Sequence, residues 1–277
     1  MEITRTGPDG RRIWQALDKH KQWIRRPLVF RGSGLPFCAR RFCLDRKVEP
    51  LSESSYVRDV RLHRGHAVHY AVQKWLGDVG LLFGNWVCES CQRSMGPTYR
   101  VRDTFGPVGQ CPRHGHALTY EEYDLCYEDL TGHPDGLLLR SKDPLTFSLL
   151  EAKTIQHTAP SPKSKSFMNL KEPDHRHVEQ ANAYACMIPK LLGFAVARCV
   201  IMYISVDKPN WRPKFFEFTP DFSRFARNIR TVRYIKRCLD KPDVIPQRCS
   251  DQDCDPFCEY HEPCRSDRLD LLGVPLP

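Results

Sequence analysis

The chain has 277 residues, enough for one large domain or two small ones with a real core, which excludes a peptide hormone or a lone metal finger. Hydrophobic residues make up 41% and charged residues 27%, and no stretch approaches the ~18 apolar residues a membrane helix requires, so we read a soluble chain with no membrane partner. It opens MEITRTGPDGRR with no apolar segment behind its arginines, which predicts a cytosolic protein. Forty-two Lys and Arg against 33 Asp and Glu leave +9, unevenly placed: residues 1–47 carry +8, whereas Cys249–Pro277 carry −5. A body this basic suits a polyanion such as nucleic acid, although the same surplus also serves solubility.

In chain order, residues 1–30 form a basic segment in which Ile13, Leu17, Trp23 and Ile24 suggest a short helix. In RGSGLPFCARRFCLDRK, Ser33 reads as a cap and Pro36 as a first-turn residue of another short helix. From Ser55 to Leu76 the apolar positions Val57, Val60, Val68, Val72 and Leu76 recur at helical steps, with Gly77 as a stop. Composition then shifts to Gly, Pro, Cys and polar residues, an inserted module over 86–118 that separates an N-terminal helical part (31–85) from the main body (119–248).

That body reads as strands at Tyr123–Tyr127, Gly136–Arg140 and Leu145–Lys153, then a helix capped by Asp174 and running from His175 to about Ile188. Strands at Val196–Val206 and Lys214–Phe218 follow. A last helix carries the stripe Phe222, Phe225, Ile229, Val232 and Leu239, closed by Pro242 and Pro246. Strands flanked by helices give an α/β fold with a central mixed sheet. Residues 249–277 form a cysteine-rich end.

Thirteen cysteines are many for a reducing compartment, where clustered spacing points to metal. Cys126, Cys186, Cys199 and Cys238 stand alone and read as small core residues. Cys88-x2-Cys91 and Cys111-x2-His114, nineteen residues apart, have the spacing of a zinc ribbon, with His116 as a rival fourth ligand. A module this short buries too little apolar surface alone, so a Zn²⁺ staple explains its persistence with or without a role in gripping DNA.

The chemistry concentrates in Gly132-His-Pro-Asp135-Gly136 and Glu151-Ala-Lys153. Residues two apart on a strand share a face, so Glu151 and Lys153 stand side by side, and Asp135 at the neighbouring strand's mouth completes the cluster. Two carboxylates in one cleft suit Mg²⁺ or Mn²⁺, and an adjacent lysine steadies a water or a developing phosphorane charge. Such charges are costly in an apolar strand unless used, and Leu149 and Leu150 flank them.

The arrangement Asp135…Glu151-x-Lys153 resembles the signature of the PD-(D/E)xK nuclease superfamily. Gly65-x3-His69 and Gln180-x3-Tyr184 are similar to two further motifs of its RecB-like branch, with His66 and His133 as nearby competitors of His69. The resemblance, spanning about Gly32 to Arg265, implies a restriction-endonuclease-like core. It implies a catalytic set of His69, Asp135, Glu151 and Lys153, with the Ala152 carbonyl at the metal and Gln180 and Tyr184 supporting it or contacting DNA.

Cys254-x3-Cys258-x5-Cys264 together with Cys38 resembles the iron–sulfur nucleases of that branch, the CRISPR-associated and helicase–nuclease exonucleases, and implies a [4Fe–4S] cluster on these four cysteines. Cys249 is an alternative to Cys254, Cys43 to Cys38, and a four-cysteine zinc site to the cluster. The implied activity is metal-dependent DNA exonucleolysis with little sequence specificity, acting on single strands or duplex ends in repair, recombination, phage or CRISPR-type processing. Arg40 and Arg41 would hold the backbone, and a helicase or recombination protein would be the partner. The alternative is a non-catalytic DNA-binding or accessory subunit of a recombination or integration complex.

Overall fold

The computed structural model describes residues 22–25, 29–47, 51–54, 56–88, 90, 111, 113–116, 118–142, 144–158, 165–208, 212–241, 244–247, 260 and 264. The elements run β1 (Gln22–Arg25), β2 (Phe30–Arg31), α1 (Ala39–Lys47), β3 (Leu51–Ser54), α2 (Tyr56–Asp78), β4 (Leu82–Phe83), β5 (Asn85–Val87), β6 (Thr119–Glu121) and β7 (Leu125–Tyr127). They continue with β8 (Leu130–Gly132), β9 (Gly136–Lys142), β10 (Leu145–Ile155), α3 (His175–Leu191), β11 (Ala195–Ser205), β12 (Lys214–Phe218) and α4 (Phe222–Leu239). The architecture is mixed α/β. Among the described residues no helix is long and apolar enough to cross a membrane.

The chain divides into two compact units. The larger holds Val29–Phe37 and Ala67–Val232, and its centre is a five-stranded sheet in the order β12-β11-β10-β9-β4. β10 and β11 are parallel, and every other neighbouring pair is antiparallel. Helix α3 supplies the crossover between the parallel pair, as such a connection requires. A three-stranded sheet, β2-β8-β7, and a ribbon of β5 with β6 complete this unit.

Strand alternation separates the two faces of β10. Leu150 and Ala152 point to one face and, with Met202, receive Val68, Val72 and Leu76 of α2, spaced four residues apart on one stripe of the helix. Phe147, Leu149, Glu151 and Lys153 point to the other, where α3 packs. Phe147 packs there at a tilt against Phe83, ring centres 4.7 Å apart, and against Phe194, which Phe83 meets edge-on. Helix α3 is buried along nine consecutive residues from Gln180 to Ile188, capped by Asp174, whose side chain accepts from the Arg176 N–H. Its wholly buried Asn182 donates to the Asp221 carbonyl at 3.0 Å and accepts the Asp221 N–H at 2.7 Å, which ties the helix to the start of α4.

The smaller unit holds Met1–Leu28, Cys38–His66 and Arg233–Pro277. In it β1 and β3 pair antiparallel, Cys43 and Leu44 of α1 are buried, and Tyr260 donates its hydroxyl to Asp45 at 2.8 Å.

Several local expectations are corrected. The segment from Gln22 to Arg25, expected to end a short helix, is a strand, because β3 offers it a ladder. Ser33 lies in a 3-10 turn and Pro36 ahead of α1, rather than capping and opening that helix. Gly77 does not stop α2, which runs to Asp78. Gly80, at φ +72°, breaks the helix, and the Leu81 N–H closes onto the Leu76 carbonyl. The expected strand at Tyr123–Tyr127 is shortened to β7, Leu125–Tyr127, with Tyr123 in the connection that follows β6. Cys126 is exposed, because alternation on β7 turns Leu125 inward and Cys126 out, whereas Cys186, Cys199 and Cys238 are buried.

Candidate active site

The register of β9 against β10 builds the site. Gly136 pairs with Leu150, so Asp135 at the mouth of β9 lies across from Glu151, sixteen positions away in sequence. The Ala152 N–H donates to Asp135 Oδ2 at 2.6 Å, and the other carboxylate oxygen, Oδ1, meets His69 Nδ1 at 3.1 Å. His69 arrives from α2 beside the Val68–Val72 stripe that packs on the sheet. Of its competitors, His66 is exposed, and His133 is exposed and faces Asp124 at 3.9 Å.

On the α3 side, Lys153 Nζ donates to Glu151 Oε1 at 2.6 Å and to Gln180 Oε1 at 2.9 Å. Gln180 Nε2 in turn donates to the Tyr184 hydroxyl at 3.3 Å. Gln180 and Tyr184 are one helical turn apart on one face of α3, so a single helix orients the lysine. The Tyr184 ring is 3% exposed, and a Cβ at either Gly32 or Gly132 would collide with it. Glycine at both places is a packing requirement. This burial gives Tyr184 an anchoring place rather than a nucleic-acid contact.

Glu151 is 1% exposed, and its second oxygen, Oε2, is buried with no hydrogen-bond partner among the described residues. Burial first, and then the charge of Asp135, push its pKa up to about 8 in spite of Lys153. For His69 burial opposes the charged form, but the hydrogen bond and charge of Asp135 raise its pKa overall. A buried carboxylate oxygen without a donor, two further oxygens of Asp135 and an imidazole make a donor set that fits a hard divalent cation.

Two side chains in the site carry no motif. Gln73, one turn beyond His69 on α2, donates its amide to Glu122 Oε1 at 2.7 Å and to the Asp135 carbonyl at 3.0 Å. Glu122, just past β6, has its pKa raised by burial and by Asp135. Gln73 thereby braces the Asp135 backbone from the helix that carries His69. The four-residue step from His69 was the available signal; Glu122 offered none.

A second cluster lies where β5 and β6 bring the two ends of the segment between them together, Val87 opposite Thr119. Cys88 Sγ and Cys111 Sγ lie 3.8 and 3.7 Å from His114 Nδ1, and the three donor atoms fall within 4.8 Å of one another. Tetrahedral zinc, with bonds of about 2.3 Å to sulfur and about 2.0 Å to nitrogen, separates those donors by about 3.6 Å. Gly115, at φ +67°, turns the chain so that the Cys111 N–H reaches the His116 carbonyl at 2.7 Å. His116 Nδ1 instead faces Ser90 Oγ at 3.0 Å, and Cys91 lies outside the described residues.

Of the remaining expected site residues, Cys38 and Cys264 belong to the smaller unit, with Cys264 buried. Cys249, Cys254 and Cys258 lie outside the described residues. Arg40 is buried at 8% exposure, which withdraws it from the surface a nucleic-acid backbone would meet. Arg41 stands 4.0 Å from Asp45.

No family model matches the chain. No curated protein matches it either. Among solved structures it is similar to SSO0001, at 12% identity and TM-score 0.39, over 94% of this chain and 98% of that one. It is also similar to the alkaline exonuclease LHK-Exo from Laribacter hongkongensis, at 11% identity and TM-score 0.36, and to LHK-Exo in complex with dAMP, at 10% and 0.38. Both of these cover 77% of this chain and 88% of the other. At such scores the likenesses carry no weight for chemistry, which has to come from the side chains.

Proposed function

We propose that this chain is a divalent-metal-dependent nuclease that hydrolyses DNA phosphodiester bonds, an exonuclease of the PD-(D/E)xK type with little sequence preference. The observation that carries the reading is the convergence of His69, Asp135, Glu151 and Lys153, with one buried Glu151 oxygen left without a partner among the described residues. His69, Asp135, Glu151 and the Ala152 carbonyl would hold Mg²⁺ or Mn²⁺, which supplies Lewis acidity toward a phosphoryl oxygen and lowers the pKa of water. Lys153, fixed between Glu151 and Gln180, presents an ammonium to the charge that develops on the phosphoryl oxygens. Gln180 and Tyr184 position that ammonium, and Gln73 positions Asp135. Phosphate contacts carry no base code, which is why sequence preference should be low.

Digestion of end-labelled single- and double-stranded DNA by wild type and Glu151→Ala, with Mg²⁺ or Mn²⁺, tests the reading. Cleavage by wild type alone is expected. Intact DNA in both lanes, with DNA binding retained, would favour the accessory DNA-binding subunit.

Two structural metals belong to the same proposal. Zn²⁺ sits on Cys88, Cys91, Cys111 and His114, supported by the thiol and imidazole distances. A [4Fe–4S] cluster sits on Cys38, Cys254, Cys258 and Cys264, supported by their spacing in the sequence. Protein purified without oxygen should then be brown and contain both iron and zinc; colourless protein holding zinc alone would sink the cluster. A helicase or recombination protein is the proposed partner.

A further inference from the structure

Tyr203 on β11 stands beside Lys153 in the parallel register with β10, on the face covered by α3. It is 1% exposed, and its hydroxyl accepts the Asp174 N–H at 2.9 Å and meets His177 Nδ1 at 2.7 Å. A buried phenol needs an acceptor for its own proton, and His177 Nδ1 is the one within reach among the described residues. The tautomer follows: Nδ1 accepts from Tyr203, and Nε2 carries the hydrogen on the opposite side of the ring.

His177 Nε2 has no protein partner among the described residues and is not among their buried unpaired atoms, so it opens to solvent. The residue precedes Gln180 by three and Tyr184 by seven positions, so all three lie along the same side of α3. Its Cα lies about 4.5 Å along the helix axis from that of Gln180, whose side chain holds Lys153.

We infer that His177, locked by Tyr203, is a substrate-binding residue whose Nε2–H donates to a phosphate oxygen of the bound strand beside the scissile bond. This rests on the nuclease reading and adds a contact that none of the motifs contains. The groups facing the ring are Tyr203, Lys153, Asp174, Arg176 and Lys165. Burial first, and then the charge of Lys153, hold His177 down to about 4, so near neutral pH it is an uncharged donor. It therefore contributes direction rather than charge, set beside the lysine that contributes charge.

The test is steady-state cleavage of a labelled single-stranded oligonucleotide by the full, metal-loaded chain, comparing wild type, His177→Ala, His177→Gln and Tyr203→Phe. Loss of a hydrogen bond to a charged oxygen should raise KM about 10-fold to 100-fold in His177→Ala, with kcat little changed. His177→Gln, which keeps an N–H near the Nε2 position, should recover most of the loss. Tyr203→Phe, which keeps the ring and removes the lock, should fall between them. The salt dependence of binding, read in Ca²⁺ to block turnover, should keep its slope in His177→Ala; a charged contact would flatten it by about 0.7.

A wild type that cleaves while His177→Ala matches its KM overturns this inference and leaves the nuclease reading standing. So does a Gln variant no better than Ala. Should the Ala variant fail to fold, as read by its melting temperature, the Gln and Tyr203→Phe variants decide. A wild type that leaves DNA whole with both Mg²⁺ and Mn²⁺ overturns the nuclease reading and this inference together.

Discussion

The two candidate metal sites of the larger unit are assembled by opposite means. The carboxylate site draws His69 from α2, Asp135 from the mouth of β9, Glu151 and Lys153 from β10 and Gln180 from α3, so residues over a hundred positions apart must arrive together. The thiol and imidazole site needs the end of one short strand and one tight turn closed by Gly115. The first is set by two helices and a sheet, and among the described residues it leaves a buried oxygen unpaired. The second satisfies soft donors locally and, among the described residues, packs on Leu118. A site held open by a core is suited to turnover, whereas a site that closes a loop is suited to holding that loop.

Four experiments press on this contrast, and the first should have the largest effect. Lys153→Ala should lower kcat by about 10²- to 10³-fold, the cost of removing one preorganised charge donor from a phosphoryl-transfer site, with the fold intact by circular dichroism. Cys111→Ser should reverse the pattern. Wild type should bind about one zinc per chain, and in Cys111→Ser that zinc should be lost and the melting temperature lowered, while kcat stays within about threefold, because a thiolate that closes a loop would touch no substrate. Zinc retained in Cys111→Ser, or activity lost with it, would erase the distinction between the sites.

Gln180→Ala should cost about tenfold in kcat, since it frees Lys153 without removing it, and Gln180→Glu should not restore the loss because it adds a third carboxylate to the pocket. The pH dependence sharpens the comparison further. The Glu151 pKa is raised from 4.5 to about 8 in the folded, metal-free chain, so between those values the folded state holds a proton that the unfolded state has released. Its contribution to stability is present below 4.5 and is lost as pH rises toward about 8, by at most about 1.4 kcal/mol per pH unit. Mn²⁺ should flatten that slope, because a bound carboxylate has already given up its proton; urea melts with and without Mn²⁺ would read it.

Much of the carboxylate site was legible before any coordinates. Glu151 and Lys153 share a face because a strand repeats every two residues, and Gln180 and Tyr184 share one because a helix nearly repeats every four. The Val68–Val72–Leu76 stripe of α2 follows from the same helical period, whereas the nine consecutive buried positions of α3 do not, because a helix covered on every side has no polar face to mark its period. Gln73 and Glu122, by contrast, are bonded across 49 positions and belong to no repeat, so only the docking of α2 beside β9 could show that they meet. Cys126 was misplaced for a related reason: a single apolar-looking residue on a three-residue strand has too little pattern around it to say which side faces out.

Rules of period report which side chains of one element face together, because backbone geometry alone sets them. They say nothing of which element a face meets, since that depends on strand register and on helix docking summed over the whole core. The amino-acid sequence therefore determined the chemistry of the donors and their order along each strand and helix. The tertiary structure decided that His69 reaches Asp135 while His133 turns to Asp124, that His114 joins the two thiols while His116 turns to Ser90, and that one oxygen of Glu151 is buried without a partner among the described residues.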